Sequence, residues 1–364
     1  MKITKVEARC YSVPPPENTS VSPGLAAGVI ETDEGITGIG YTRYNVEDLQ
    51  MIKTFIEEKL APMLLGQDPY TYEALWDKMW RGTYRIGRRG LPLHAIALVD
   101  QCLWDIVTKA AGQPLYKYLG AHKERVPVYA NVNYQVPPEE LGELAAEHIK
   151  RGYPGVKIGW GRDLDPAIAI KRVQAVRAAI GPDAGLGIDS NGNWDRETAI
   201  RTLRKMEPYD IYWAEEPICP DDFEGLAMVA GSTSIPIAAG GTNATRYEFR
   251  RLMTIRPAIR IIQPAVHRVG GITEWLKIAQ TAVVLDVPVA TYALKEVHIH
   301  LAAASPSLFV MELHSTGNPG HAAPDAVFEC DDSLYDLKDG TMRPPDEPGI
   351  GLKFRETADQ HRVA

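Results

Sequence analysis

Leu186-Gly187-Ile188-Asp189-Ser190-Asn191 is a short apolar run that ends in a carboxylate, and Ile211-Tyr212-Trp213-Ala214-Glu215-Glu216-Pro217, the next such run, ends in two. Between them, residues 196–206 carry apolar side chains at helical spacing. The same strand-then-helix unit recurs on both sides. Strand-like runs occupy residues 126–132, 155–159, 186–191, 211–215, 235–239, 259–263, 287–291 and 308–312. Helical stretches at 141–151, 165–180, 196–206, 223–230, 246–254, 272–285 and 297–304 fill most of the gaps. Strands joined by helical crossovers require a parallel sheet, and eight of them at this spacing predict an α/β fold of the closed (β/α) barrel type. A doubly wound open sheet is the alternative, but no GxGxxG follows the first run.

In a closed barrel the C-terminal strand ends converge, so Asp189, Glu215 and Glu312 are expected to share one cavity. Carboxylate oxygens suit a hard divalent ion such as Mg²⁺, which keeps water and substrate oxygens as further ligands. The fifth run ends in Ala239-Gly240-Gly241-Thr242 and offers no acid.

Residues 1–125 read as a separate α+β domain. Strands are expected at 3–13, 26–32 and 37–43, with Asp33-Glu34-Gly35 as a hairpin turn, and helices at 46–65, 70–81 and 93–111. Residues 126–329 form the barrel domain, and the loop-like segment 330–364 is expected to pack back on the first domain.

With Lys+Arg 39 against Asp+Glu 47, the net charge of -8 argues against nucleic-acid binding by counterion release. Basic clusters at 81–89 and 246–260 are interleaved with apolar residues and read as solvated helix faces; Arg85, Arg88 or Arg89 reaching an anion is the sharper alternative. Cys10, Cys102, Cys219 and Cys330 are too scattered for a zinc motif or a disulfide framework, which points to reduced thiols in a cytoplasmic protein. The N-terminus lacks a signal-peptide core, and no membrane span is expected.

The chain resembles enolase-superfamily enzymes of the mandelate racemase and muconate lactonizing enzyme type. The carriers are His94 to Asp100, Leu103-Trp104-Asp105-Ile106, Gly112-Gln113-Pro114-Leu115, Val156-Lys157-Ile158-Gly159, Asp189-Ser190-Asn191, Glu215-Glu216-Pro217, Arg268-Val269-Gly270-Gly271-Ile272 and His300-Leu301-Ala302-Ala303. The resemblance implies a modified TIM barrel with an α+β capping domain, self-association into a homo-oligomer, and a small-molecule carboxylate as substrate. It also implies removal of a proton beside that carboxylate, with Mg²⁺ holding the enediolate; so weak a carbon acid needs both a metal and a base. Asp189 and Glu215 match two of the three metal ligands, and Gly241 stands at the third. The second lysine of a Lys-x-Lys motif is Gly159. Tyr292 and Ala265 occupy the places of a His-Asp dyad, and Arg268 that of a catalytic lysine. Lys157 and Glu312 match groups that contact the substrate.

The catalytic candidates are therefore Lys157, Tyr292 and Glu312, the latter expected as a protonated acid. Asn191, Arg268 and His267 are candidates for substrate binding, and Asp189 and Glu215 for metal. Blander readings stand beside several of these: Tyr292 as a rim tyrosine, His267 as a loop histidine, Asn191 as a turn residue. Lys295 and Glu296 could be a relocated ion pair or an exposed helix start. His298 and His300 point to different helix faces and make a poor metal pair. Gly270-Gly271 opens a helix, and Asp221 or Asp222 caps another. Two functions remain open: a lyase or isomerase acting on a sugar acid or its lactone with altered acid/base groups, or a non-catalytic relative that binds a carboxylate or partner chains.

Overall fold

β1 (Ile3–Ser12), β2 (Pro23–Thr32) and β3 (Thr37–Asn45) form an antiparallel meander whose last turn carries Gly35 in the left-handed region, as the hairpin requires. The structure, a computed structural model, describes residues 1–14, 23–132, 136–159, 165–257, 259–314, 321–330 and 332–363. A capping-domain loop at residues 14–25, which the family resemblance implies helps set specificity, lies largely outside the described residues.

The helix Leu91–Ala110 packs across the meander so closely that a Cβ on Gly38 would stand 2.2 Å from the carbonyl oxygen of Cys102. Only glycine permits that approach. This helix is long and apolar enough to cross a membrane, a length of apolar chain that the sequence reading did not credit, yet almost all of it is buried inside the fold. The single helix expected over 46–65 is three pieces: Val46–Phe55, a π turn at Ile56–Leu60, and Ala61–Leu64. Leu49, Ile52, Ile56, Leu60 and Leu64 are all buried. From Ile52 onward the repeated spacing of four overshoots the α-helical period, and the wider π turn keeps these residues on one face.

β4 (Val126–Asn131), β5 (Gly155–Gly159), β6 (Gly185–Asp189), β7 (Trp213–Glu215), β8 (Ile237–Ala239), β9 (Ile261–Ile262), β10 (Val289–Thr291) and β11 (Leu308–Leu313) pair in parallel and in order. β11 pairs with β4, with Glu312 opposite Tyr129, and closes the barrel. Several strands begin two residues later than the apolar runs suggested. Their leading residues, such as Tyr212 and Ile235, instead line a cavity of about 730 Å³ at the base of the barrel.

The C-terminal segment touches both units. β12 (Thr341–Met342) pairs with β4, and β13 (Arg362–Val363) pairs with β1. Asp105, fully buried in the long helix, accepts from the backbone N–H groups of Ile39 and Ile350 at 2.8 Å each and pairs with Lys109 at 2.6 Å. One carboxylate thereby ties the helix, the meander and the segment together.

Candidate active site

Parallel strands ending at one level bring their terminal residues side by side. Gly159 pairs with Asp189, and Asp189 with Glu215. One residue pair back on β5, Lys157 points into the barrel and is buried. Its Nζ lies 2.5 Å from Glu312 Oε2, 2.8 Å from Glu215 Oε2 and 3.4 Å from Asp189 Oδ2. Burial works against its charge, but Glu215 and Glu312 outweigh that and hold it firmly as an ammonium.

The acids share one cation unequally. Burial and the neighbouring Asp189 push Glu215 up to about 7, and burial raises Asp189 as well. Glu312 goes the other way despite its burial: Lys157 and His314, whose Nε2 is 2.9 Å from Oε1, hold it well below the carboxylate range. Lys157 and His314 thus favour the ionised form of Glu312. Three carboxylates around one ammonium leave a local excess of negative charge, the condition under which a further cation is welcome.

Further groups fix these acids. Tyr129 donates to Glu312 Oε2 at 3.0 Å, and Gln263 Nε2 donates to Glu215 Oε2 at 2.7 Å. Sequence reasoning missed both, and His314, although Tyr129 and Gln263 sit near the ends of the first and sixth strands. Glu216 was noted only as part of a motif. It is buried with φ of +36°, and its Oε1 accepts from the Thr242 N–H at 2.9 Å and hydroxyl at 3.0 Å.

On the opposite wall, the Gly241 carbonyl accepts from Arg268 Nη1 at 3.2 Å and from the Tyr292 hydroxyl. Burial raises the Tyr292 phenol although Arg268 draws it back, and Tyr292 in turn keeps Arg268 protonated. His267 is buried between His94 and Tyr44, with ring centroids at 6.0 and 5.9 Å. Burial holds it neutral, and its Nδ1 makes no hydrogen bond among the described residues. His94 and Tyr44 belong to the cap, and His94 Nδ1 bonds to the His267 carbonyl at 2.7 Å. The cap thus completes this wall.

Asn191 is placed differently. It adopts φ of +50°, its backbone N–H donates to Asp189 Oδ1 at 2.9 Å, and the residue is exposed, as a turn asparagine is. Lys295 and Glu296 are buried, which overturns the exposed helix start. His298 and His300 are buried and neutral, each bonded to backbone through both ring nitrogens. Arg89 pairs with Asp221 at 2.6 Å and Glu248 at 2.5 Å, and Asp222 caps its helix by accepting from the Gly225 N–H.

Residues 20–120 match the mandelate racemase / muconate lactonizing enzyme N-terminal domain, and residues 140–358 match the enolase C-terminal domain-like family. The chain belongs to the mandelate racemase/muconate lactonizing enzyme family of the enolase superfamily. Among its relatives in that family is an arabinonate dehydratase of Saccharolobus solfataricus, 34% identical over 342 residues that cover 91% of this chain and 88% of that one. A 3,6-anhydro-alpha-L-galactonate cycloisomerase of Streptomyces coelicolor is 31% identical, covering 89% of this chain and 87% of the relative. The crystal structure of L-talarate dehydratase from Polaromonas sp. JS666, complexed with Mg and L-glucarate, superposes with a TM-score of 0.89 at 32% identity, over 100% of this chain and 98% of that one. Other family members are thus dehydratases and cycloisomerases of sugar acids, and magnesium is a bound metal in the family.

Proposed function

We propose that this family member is a lyase or isomerase acting on a sugar acid or its lactone, with altered acid/base groups and a divalent-metal site built on two carboxylates. The observation that carries the reading is Lys157: a buried ammonium in contact with Asp189, Glu215 and Glu312 at the C-terminal end of the barrel. Relatives that dehydrate or cyclise sugar acids support the substrate class.

The donor set fits Mg²⁺. Asp189 and Glu215 are adjacent, buried hard-oxygen groups with excess negative charge between them, and Mg²⁺ is often held by one or two carboxylates, with water and substrate completing its shell. Bound there, it would stabilise negative charge on a substrate carboxylate. Lys157 orients the acids and offers a second cation to the substrate. Arg268 places a guanidinium on the facing wall. Of the groups in that wall, Tyr292 and Arg268 keep their protons, and burial beside Arg268 holds His267 neutral, which suits it to hydrogen-bond the substrate rather than to take a proton.

The test is a thermal-shift panel of sugar acids with Mg²⁺, followed by product analysis on each ligand that binds. Lys157→Ala and Glu312→Gln should abolish turnover while the folded circular dichroism spectrum persists; wild-type rates in both would overturn the proposal. The bond from Tyr292 to the Gly241 carbonyl favours a second reading, in which this wall is closed to proton transfer and the protein binds its carboxylate without converting it. Tight binding with no product from any ligand would select that reading.

A further inference from the structure

Away from the barrel mouth, a second group of ligating side chains is buried. Glu296 stands in the helix Lys295–Ala304, and His321 and Cys330 flank the short helix Ala322–Val327. One ligand atom from each lies within 4.8 Å of the others, and none of the three is more than 2% exposed.

The outward faces of these groups are already occupied. His321 Nδ1 bonds to Asp325 Oδ1 at 2.7 Å, and the other oxygen of Glu296 accepts from the Tyr41 hydroxyl. The inward atoms, Glu296 Oε1 and His321 Nε2, face each other across 3.0 Å as a buried ion pair. Metal ligands of this kind bind deprotonated, so an ion seated there would displace the proton the two share. A carboxylate on Nδ1 fixes the imidazole so that the lone pair on Nε2 points away from it, which is how proteins orient metal-binding histidines. The free, buried Cys330 thiol, which donates to Asp325 Oδ1 at 3.8 Å, completes the convergence.

We propose that Glu296, His321 and Cys330 hold a zinc ion through one oxygen, one imidazole nitrogen and one thiolate, with Asp325 and Tyr41 as supporting partners. An O, N, S donor set suits tetrahedral Zn²⁺ and discriminates against Mg²⁺, which rejects sulfur. The site joins a barrel helix to the segment after the last barrel strand, and through Tyr41 to the cap. Its role is to lock those three pieces together, independently of the chemistry at Lys157.

The test uses the full chain carrying Cys219→Ser, which removes the exposed cysteine, stripped with a chelator and titrated with cobalt(II). One equivalent should bind with a sulfur-to-cobalt charge-transfer band in the near ultraviolet, zinc should displace it, and Asp189→Ala should leave it unchanged. Cys330→Ser should abolish the band. Should Cys330→Ser fail to fold, Glu296→Gln keeps the sulfur and should weaken cobalt affinity at least tenfold. Absence of the band, or a band and affinity indifferent to these substitutions, overturns the proposal.

Discussion

A Cβ built on Gly241 would stand 3.3 Å from Oε1 of Glu216 and 3.6 Å from the Tyr292 hydroxyl. The space where a third acid would enter is therefore bordered by a carboxylate and a phenol, and it contains no side chain of its own. Gly241 does not have a positive φ, so a side chain there strains nothing in the backbone. Gly241→Glu should fold and bind Mg²⁺ at least tenfold more tightly, a gain of about 1.4 kcal/mol. Calorimetric titration of both proteins checks this, and equal affinities would mean that the added carboxylate does not reach the metal.

Lys157 neutralises a cluster that would otherwise be wholly anionic. Lys157→Met leaves Glu312, Glu215 and Asp189 buried without their counter-charge, a loss of roughly 3–5 kcal/mol by analogy with broken buried pairs. The melting temperature should fall sharply at neutral pH, and millimolar Mg²⁺ should recover part of it in the variant more than in the wild type. No fall would mean that the acids are already protonated.

His300 makes the protein acid-sensitive. It accepts from the Tyr116 N–H, and burial lowers it to about 4 from an ordinary value of 6.5. An unfolded chain binds the proton first, so this stability is complete above about pH 6.5 and is lost as pH falls toward 4, on the order of 2–3 kcal/mol. His94 and His298 are lowered to about 4 as well, so His300→Gln should remove one share of the pH dependence of unfolding in that window while leaving the alkaline side unchanged. Denaturant midpoints measured between pH 4 and 7 decide it.

Asp105→Ala removes one acceptor from two backbone donors and a lysine. The Ile39 and Ile350 N–H groups lose their acceptor, a cost of roughly 3 kcal/mol, while Lys109 keeps its bond to the Thr37 carbonyl. The variant should melt earlier and exchange the Ile350 amide proton faster than the wild type, which hydrogen-exchange mass spectrometry of the C-terminal peptides would read. Unchanged exchange there would show that other contacts hold the segment.

Much of the barrel was legible because its strands are buried on both faces and its helices on one, so the periodicity alternates along the chain. The pairing of Asp189 with Glu215 followed from consecutive strands ending at one level. What could not be read depends on the third dimension. Gln263 and Tyr129 are polar residues whose strand phase decides whether they meet Glu215 and Glu312 or solvent. His94 and Tyr44 reach the His267 wall only because the cap docks there. Lys295 and Glu296 looked like a solvated helix start because charged pairs usually are; the packing of Tyr41, Tyr335 and His321 around them is what buries them.

The pairing of β13 with β1 bears on how the chain is made. Cys10 lies opposite Val363, so the outer edge of the meander waits for residues synthesised more than three hundred positions later. Until then the Cys10–Tyr11 end of β1 leaves backbone N–H and C=O groups open on its outer edge, a template for any other chain nearby. Substitutions near residue 362 that weaken this pairing are expected to register as aggregation before they register as loss of stability in the finished fold.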